Sequence, residues 1–276
     1  MEKALQLRAS SFLDEGRVRR YKNAGFRAAA VSFGPEDLMI PDWKGHINSI
    51  NEAMEKAGIS CIQTHLQYYD ILRSSESTDD ETDECIRRSL EATPMLGAKW
   101  GAFHPRTGIS YGYDLEREIR DNALAIEKLL DTAARCGAGI AVENIPIFPD
   151  CPQYKFFTSN PEDHIAFVDQ FDPELVGICW DTGHAHLMPY DQSEVIRSLG
   201  SRLKIVHLQD NGQRLCDEHA LPSVGSIPWD KVMPAIASTG WLGGITLEIH
   251  MSAPRTEATY FAHAYDCACM LEELIG

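Results

Sequence analysis

Short apolar runs alternate along the chain with longer stretches in which apolar residues recur every three or four positions. The first run is Leu5 to Ser10, followed by a helix through Val18 and Tyr21 that stops near Gly25. The second is Phe26 to Phe33; after it Ile47, Ile50, Met54 and Ala57 draw one apolar helix face that ends at Gly58. Ser60 to His65 is the third, with a polar, acidic loop around Ser74 to Asp80 and a helix ending at Gly97. Lys99 to Pro105 is the fourth. Its helix is the clearest in the chain, with Leu115, Ile119, Ala123, Ile126, Leu130 and Ala133 as the expected buried stripe and Gly137 as the stop.

The second half repeats the pattern. Gly139 to Glu143 is a fifth strand, and its helix opens at Asn160-Pro161-Glu162-Asp163, an N-cap asparagine, a proline at the first helical position and acids in the first turn. Gly177 to Asp181 is the sixth, with a helix from Gln192 to Leu199. Leu203 to His207 is the seventh, followed by a long loop through Gly225 and a helix from Trp229 to Ala237. Gly244 to Glu248 is the eighth, and Thr256 to Leu274 is the closing helix. Eight strand–helix units predict an α/β fold, a (β/α)8 TIM barrel, as a single domain over residues 1–276. No Gly-x-Gly-x-x-Gly follows any strand, which removes the main motif expected of a dinucleotide-binding alternative.

Six of the runs end in a side chain able to bind metal: His65, His104, Glu143, Asp181, His207 and Glu248. In a parallel barrel every strand's C-terminal end opens on the same face, so these tips are expected to converge. Buried carboxylates without a counter-charge are strongly disfavoured, and a divalent cation supplies that charge. Glu143, Asp181, His207 and Glu248 form a mostly oxygen ligand set. It suits one Mn2+, Mg2+ or Co2+ ion and tolerates Zn2+, with Mn2+ as the leading expectation. The absence of cysteine at these strand ends argues against a structural zinc site. Arg106 and Arg214 follow strands and are candidates to receive a phosphate or carboxylate. Neighbouring strand residues alternate in direction, so Trp180 should pack between sheet and helices rather than stack on a ligand beside Asp181. His186, His250 and His263 are read as structural, and Lys204 is not proposed as a Schiff base.

Charge narrows the partners. A formal net charge of −16 opposes unassisted approach to nucleic acid or to an anionic membrane. No apolar run approaches the roughly 18 residues of a membrane span. The N-terminus lacks the basic-then-apolar pattern of a signal peptide, so a cytoplasmic location is the expectation. The eight cysteines contain no C-x-x-C pair, which supports neither a zinc ribbon nor a redox motif.

The ordered set of Glu143 in Val-Glu-Asn, Asp181 with His184 in Asp-Thr-Gly-His, His207 with Asp210 in His-Leu-Gln-Asp, and Glu248 in Leu-Glu-Ile resembles the xylose-isomerase-like TIM barrels. These are the sugar phosphate isomerase/epimerase group, which also contains endonuclease IV. The resemblance implies that Glu143, Asp181, His207 and Glu248 bind one divalent metal, that Glu143 and Glu248 are the catalytic acid–base pair, and that His184 contacts substrate. His65, His104, Arg214, Asp217 and His219 complete the candidate substrate-binding residues. The implied activity is that of a ketose 3-epimerase or aldose–ketose isomerase, acting on a small carbohydrate by proton transfer through a metal-stabilised enediolate. A homo-oligomer is compatible with this.

Two alternatives stay open. One is an endonuclease IV-like phosphodiesterase with three zinc ions, whose ligand pattern can be traced through His65, His104, Glu143, Asp181, His184, His207, the Asp217-Glu218-His219 segment and Glu248. The other is a dehydratase or lyase acting on an inosose- or dehydroshikimate-like ketone. Where sugar-isomerase relatives usually show Pro-Gly, this chain has Pro222-Ser223.

Overall fold

The computed structural model describes residues 1–69, 80–107, 112–148, 152, 154–213, 216–241, 243–250 and 256–275. Eight parallel strands carry the fold: β1 (Lys3–Arg8), β2 (Ala28–Ser32), β3 (Ser60–His65), β4 (Trp100–Phe103), β5 (Gly139–Glu143), β6 (Val176–Asp181), β7 (Leu203–His207) and β8 (Ile245–Leu247). Their order follows the sequence, with β1 also pairing to β8. The remaining seam, between β7 and β8, is held by Leu208, whose N–H donates to Thr246 O at 2.9 Å and whose carbonyl accepts from Glu248 N–H at 3.2 Å. The result is a (β/α)8 barrel, nearly closed by a full ladder and closed at its last edge by this bridge.

Helices α1 (Glu15–Ala24), α2 (Pro35–Leu38), α3 (Trp43–Ala57), α4 (Asp80–Met95), α5 (Leu115–Cys136), α6 (Pro161–Val168), α7 (Thr182–His186), α8 (Gln192–Leu199), α9 (Trp229–Ser238) and α10 (Glu257–Glu273) surround it. The anticipated punctuation operates: Asn160 caps α6 by accepting from Asp163 N–H, and Gly58 and Gly137 end α3 and α5 in the left-handed region.

Strand alternation divides the interior in two. Outward-facing residues such as Leu5, Val142, Ile178, Trp180 and Val206 join the large core between strands and helices. Ala102, Ala141, Cys179 and Ile205 form a separate small cluster with Trp100, the filling of the barrel itself. Two residues beyond them along their strands come His104, Glu143, Asp181 and His207. The period of two therefore aims these side chains into the barrel mouth.

The structure corrects several expectations. β1 begins and ends two residues earlier than predicted, because Ala9–Leu13 turns into a 3-10 helix. The buried stripe of α5 is rotated: Ala125, Ile126, Leu129 and Ala133 are buried together with Glu118, Asn122 and Thr132, whereas Leu115, Ile119, Ala123 and Leu130 are only partly covered. Asn122 explains the rotation. Its side chain accepts from Arg106 N–H at 2.7 Å and donates to Arg106 O at 2.9 Å, a loop anchor that an apolar-only pattern does not register. Helices α2 and α7 were not anticipated. Most of the acidic loop before α4 lies outside the described residues, as does Arg214.

Candidate metal centre and active site

Asp181 shows how the site is built. It ends β6 and caps α7, its Oδ1 accepting from His184 N–H at 2.7 Å. The same oxygen accepts from Gln209 Nε2 at 3.1 Å, while Oδ2 is buried with no protein partner. Asn144 fixes the backbone from the neighbouring strand, accepting from Asp181 N–H at 2.7 Å and donating to its carbonyl at 2.9 Å. One carboxylate oxygen is thus committed to structure and the other remains free.

Around it stand Glu143, His207 and Glu248. His207 Nδ1 lies 3.3 Å from Glu143 Oε1 and 2.9 Å from Glu248 Oε2. One ligand atom from each of Glu143, Asp181, His207 and Glu248 falls within 4.8 Å of the others. Cys179, one step deeper in the barrel, places Sγ 3.6 Å from His207 Nδ1, so a thiol does border the cluster although none stands at a strand tip.

Two further groups flank this one. His65 and His104 bring their Nε2 atoms to 3.1 Å of each other, and His104 Nε2 is 3.1 Å from Glu143 Oε2, although that oxygen has no aligned hydrogen bond. On the other side Asp217 Oδ2 lies 3.0 Å from His184 Nε2 and 2.7 Å from His219 Nε2. The structure therefore brings together His65, His104, Glu143, Asp181, His184, His207, Asp217, His219 and Glu248. Arg106 is not among the residues lining the central cavity; its guanidinium stacks on Tyr69 at 4.3 Å. His250, read from sequence as structural, stacks on His219 at 4.4 Å and lines the cavity. Trp180 packs outward as expected, fully buried with its indole N–H toward Gln192. Lys204 rests over the Trp100 ring at 5.1 Å.

Charge is balanced unevenly. Burial works against protonated His207, but Cys179, Glu248 and Glu143 hold its imidazole well above the ordinary value. Burial likewise opposes ionised Glu143 and Glu248, yet His207 keeps both well below the usual carboxylate range. For Asp181 burial wins: its carboxyl is pushed up to about 7, against the pull of His184 and with Glu143 adding to the rise. Burial opposes a charged His219 too, but the Asp217 hydrogen bond and Glu248 lift it to about 9. His65 is pushed down to about 4 by burial and by His104. Burial also opposes a charged His184, but Asp181 and Asp217 hold its imidazole well above the ordinary value, so His207 and His184 each balance part of the buried carboxylate charge. The buried, unpartnered Asp181 Oδ2 and Glu143 Oε2 are hard oxygen donors, so the residues fit a divalent cation.

Three supporting side chains escaped the sequence reading. Gln209 Nε2 bridges Asp181 Oδ1 and Asp217 Oδ1, at 3.1 and 2.6 Å. Asn144 fixes Asp181 and accepts from His184 Nδ1 through its carbonyl at 2.9 Å. Gln6 donates to Glu248 Oε1 at 2.6 Å. Gln209 follows His207 by two residues on the inward-facing phase, the one signal available for it.

The β7–α9 loop that delivers Asp217 and His219 is anchored by Asp210, whose fully buried carboxylate accepts from the N–H groups of Asn211, Ser223 and Ile227 and from the Trp229 indole. Among the described residues, those other than glycine with positive φ all lie in this loop: Gln213 (56°), His219 (44°) and Ser223 (71°). Ser223 occupies the left-handed region, a conformation that favours glycine. The cavity these elements enclose is about 630 Å3, with Gln6, Arg8, Tyr68, Phe148 and Tyr260 on its walls.

A family model described as "Xylose isomerase-like TIM barrel" matches residues 18–267. An uncharacterized protein of Sinorhizobium fredii is 26% identical over 206 residues, which cover 70% of this chain and 61% of that relative. The match therefore spans less than two thirds of that relative's length. A D-psicose 3-epimerase of Enterocloster bolteae is 26% identical over 136 residues, 49% of this chain and 40% of the epimerase. Among solved structures, a D-tagatose 3-epimerase-like protein matches with a TM-score of 0.78 at 19% identity, over 100% of this chain and 98% of that one. At that identity the likeness concerns the barrel fold.

Proposed function

The chain belongs to the xylose isomerase-like TIM barrel family, and on that footing we propose that it is a metal-dependent sugar isomerase or epimerase, of the ketose 3-epimerase or aldose–ketose isomerase type. The observation that carries the reading is the meeting of Glu143 and Glu248 at His207 Nδ1, at 3.3 and 2.9 Å. Two carboxylates on separate strands converge on one point, and each keeps its second oxygen outside it. The relative named as a D-psicose 3-epimerase supports the same substrate class.

A divalent cation held by Glu143, Asp181, His207 and Glu248, Mn2+ in the first instance, would polarise a substrate carbonyl and make the neighbouring C–H acidic. One glutamate removes that proton through the oxygen turned away from His207. For epimerisation the other glutamate, which has to enter the step as the carboxylic acid, gives its proton to the opposite face; for isomerisation the abstracted proton returns to the adjacent carbon while the hydroxyl proton passes to the former carbonyl oxygen. His184, held by Asn144 and Asp217, and the cavity-lining His65, His104, Asp217 and His219 orient the hydroxyls of a small carbohydrate.

The test has two parts. Solvent deuterium should enter a substrate from a panel of ketoses, aldoses and inosose-like ketones, and Glu248→Gln should lower turnover by at least about 100-fold while leaving the fold intact. Full activity in that variant would remove Glu248 from proton transfer.

A specific observation keeps a second reading alive. The groups His65–His104–Glu143 and His184–Asp217–His219 flank the central set, and Glu143 belongs to both the first group and the central one. That is a donor set for three ions, as in the zinc phosphodiesterase alternative. Elemental analysis of protein purified without added metal separates the two: about one ion per chain supports the sugar enzyme, and three zinc ions favour the phosphodiesterase. The net charge of −16 weighs against a nucleic-acid substrate.

A further inference from the structure

β1 contributes no metal-binding residue, yet it touches the centre. Its register with β8 pairs Lys3 with Ile245, Ala4 with Thr246 and Leu5 with Leu247, which sets Gln6 beside Glu248 one step further on. Leu5 points out into the main core, so the strand period turns Gln6 inward onto the cavity wall. There its Nε2–H donates to Glu248 Oε1 at 2.6 Å. The other oxygen of Glu248, Oε2, faces His207 Nδ1 at 2.9 Å. The carboxylate is thereby divided, one oxygen to an amide and one to the metal position.

Glu143 is divided differently. Its Oε1 lies 3.3 Å from His207 Nδ1 and 3.4 Å from His184 Nδ1, and its Oε2 lies 3.1 Å from His104 Nε2. The two glutamates both face His207, but the outer oxygen of Glu143 lies against an imidazole and that of Glu248 is held by a neutral amide. Gln6 Oε1 is itself buried without a partner, so the amide is held in place through its donor end. A buried amide with an unsatisfied acceptor is costly if its only role is to tie two strands together, since an apolar side chain would fill the same space without that cost.

We propose that Gln6 is a positioning residue: by holding Glu248 Oε1 it fixes the plane of that carboxylate, directing Oε2 to the metal and keeping Oε1 at the cavity wall for proton transfer. The inference rests on Glu248 being a metal ligand, as in the function proposed above. Metal-ligating carboxylates are ordinarily held by such hydrogen bonds, whose loss costs about 10- to 100-fold in metal affinity.

The experiment is a calorimetric titration of the metal-free full chain with Mn2+ alone, for the wild type, Gln6→Met, Glu248→Gln and the double variant, with the thermal midpoint of each metal-free protein measured in parallel. Gln6→Met keeps the length and bulk of the side chain and removes the donor. The expected result is Mn2+ binding weakened about 10- to 100-fold with the metal-free midpoint little changed, and no further weakening when Gln6→Met is added to Glu248→Gln, because the two act through one contact. At saturating Mn2+ the loss should fall on kcat rather than on KM. Unchanged Mn2+ affinity, with or without a lowered midpoint, would make Gln6 a strand tie and overturn the proposal, as would additive effects in the double variant. Failure of the wild type to bind Mn2+ overturns the metal-centre reading itself, a separate result.

Discussion

Gly183 is the most exacting position in the Asp-Thr-Gly-His segment, and the reason is space. A Cβ built on it would lie 2.1 Å from Gln209 Cδ and Oε1 and 2.4 Å from Nε2. Ordinary carbon contacts begin near 3.5 Å, so Gly183→Ala forces the Gln209 amide back by more than about 1 Å. That amide holds Asp181 Oδ1 at 3.1 Å and Asp217 Oδ1 at 2.6 Å. Moved by that distance it loses at least the longer bond. Hydrogen bonds to charged groups contribute about 1.5–3 kcal/mol each, and loss of an outer support of a metal ligand costs about 10- to 100-fold in affinity. Gly183→Ala should therefore weaken Mn2+ binding by that factor, read by calorimetry on the metal-free protein. The double variant Gly183→Ala/Gln209→Ala supplies the control. Once the Gln209 side chain is gone the new methyl has nothing to strike, so the double variant should bind Mn2+ no more weakly than Gln209→Ala alone. Near-wild-type affinity in Gly183→Ala, or strictly additive losses in the double variant, would refute this account of the glycine.

Other consequences follow from strain and burial. Ser223→Gly relieves a left-handed serine and should raise stability by about 1 kcal/mol, measured by reversible denaturation; a loss of stability would show that Ser223 is not strained. His164, fully buried on α6 with Nε2–H donating to Val142 O, has its imidazole pushed down to about 4 by burial. Its unfolded value is about 6.5, so the stability it contributes above that pH is lost as pH falls toward 4. His164→Gln should therefore lose about 2 kcal/mol less than the wild type between pH 6.5 and 5, and superimposable pH profiles would sink the argument.

The strands were legible because each is a short apolar run, the pattern that a parallel strand covered by helices requires, and six of the runs end in a polar tip. Gly58 and Gly137 and the Asn160-Pro161 opening marked helix ends for local reasons that no tertiary contact overrides. The α5 stripe was misread because only apolar residues were counted, while Asn122 and Glu118 occupy buried positions. Asn122 does so to satisfy the backbone of Arg106. Such a tertiary partner cannot be inferred from periodicity. Helix α7 is only five residues long and carries no apolar periodicity; its local signal is Asp181, whose side chain caps it at His184 N–H.

The site divides along the same line. Carboxylates and imidazoles at strand tips are conspicuous in sequence because burying them needs a counter-charge, which narrows what they can be doing. Gln6, Asn144 and Gln209 are neutral, and an amide at a strand position carries no charge to explain, so the inward phase of Gln209, two residues after His207, is the one signal the sequence offers among them. Yet Gln6 and Gln209 each hold one carboxylate oxygen, of Glu248 and of Asp181, and Asn144 fixes the Asp181 backbone. The Asp181 carboxylate has one oxygen committed to His184 N–H and Gln209, and Glu248 has one committed to Gln6. A centre assembled from the conspicuous residues alone would leave the outer oxygen of Glu248 unheld, whereas Asp181 is fixed by the His184 N–H and Glu143 is braced by imidazoles. The Gln6 amide removes that freedom, and so the role proposed for Glu248 depends on a residue whose importance appears only once β1 and β8 are in register.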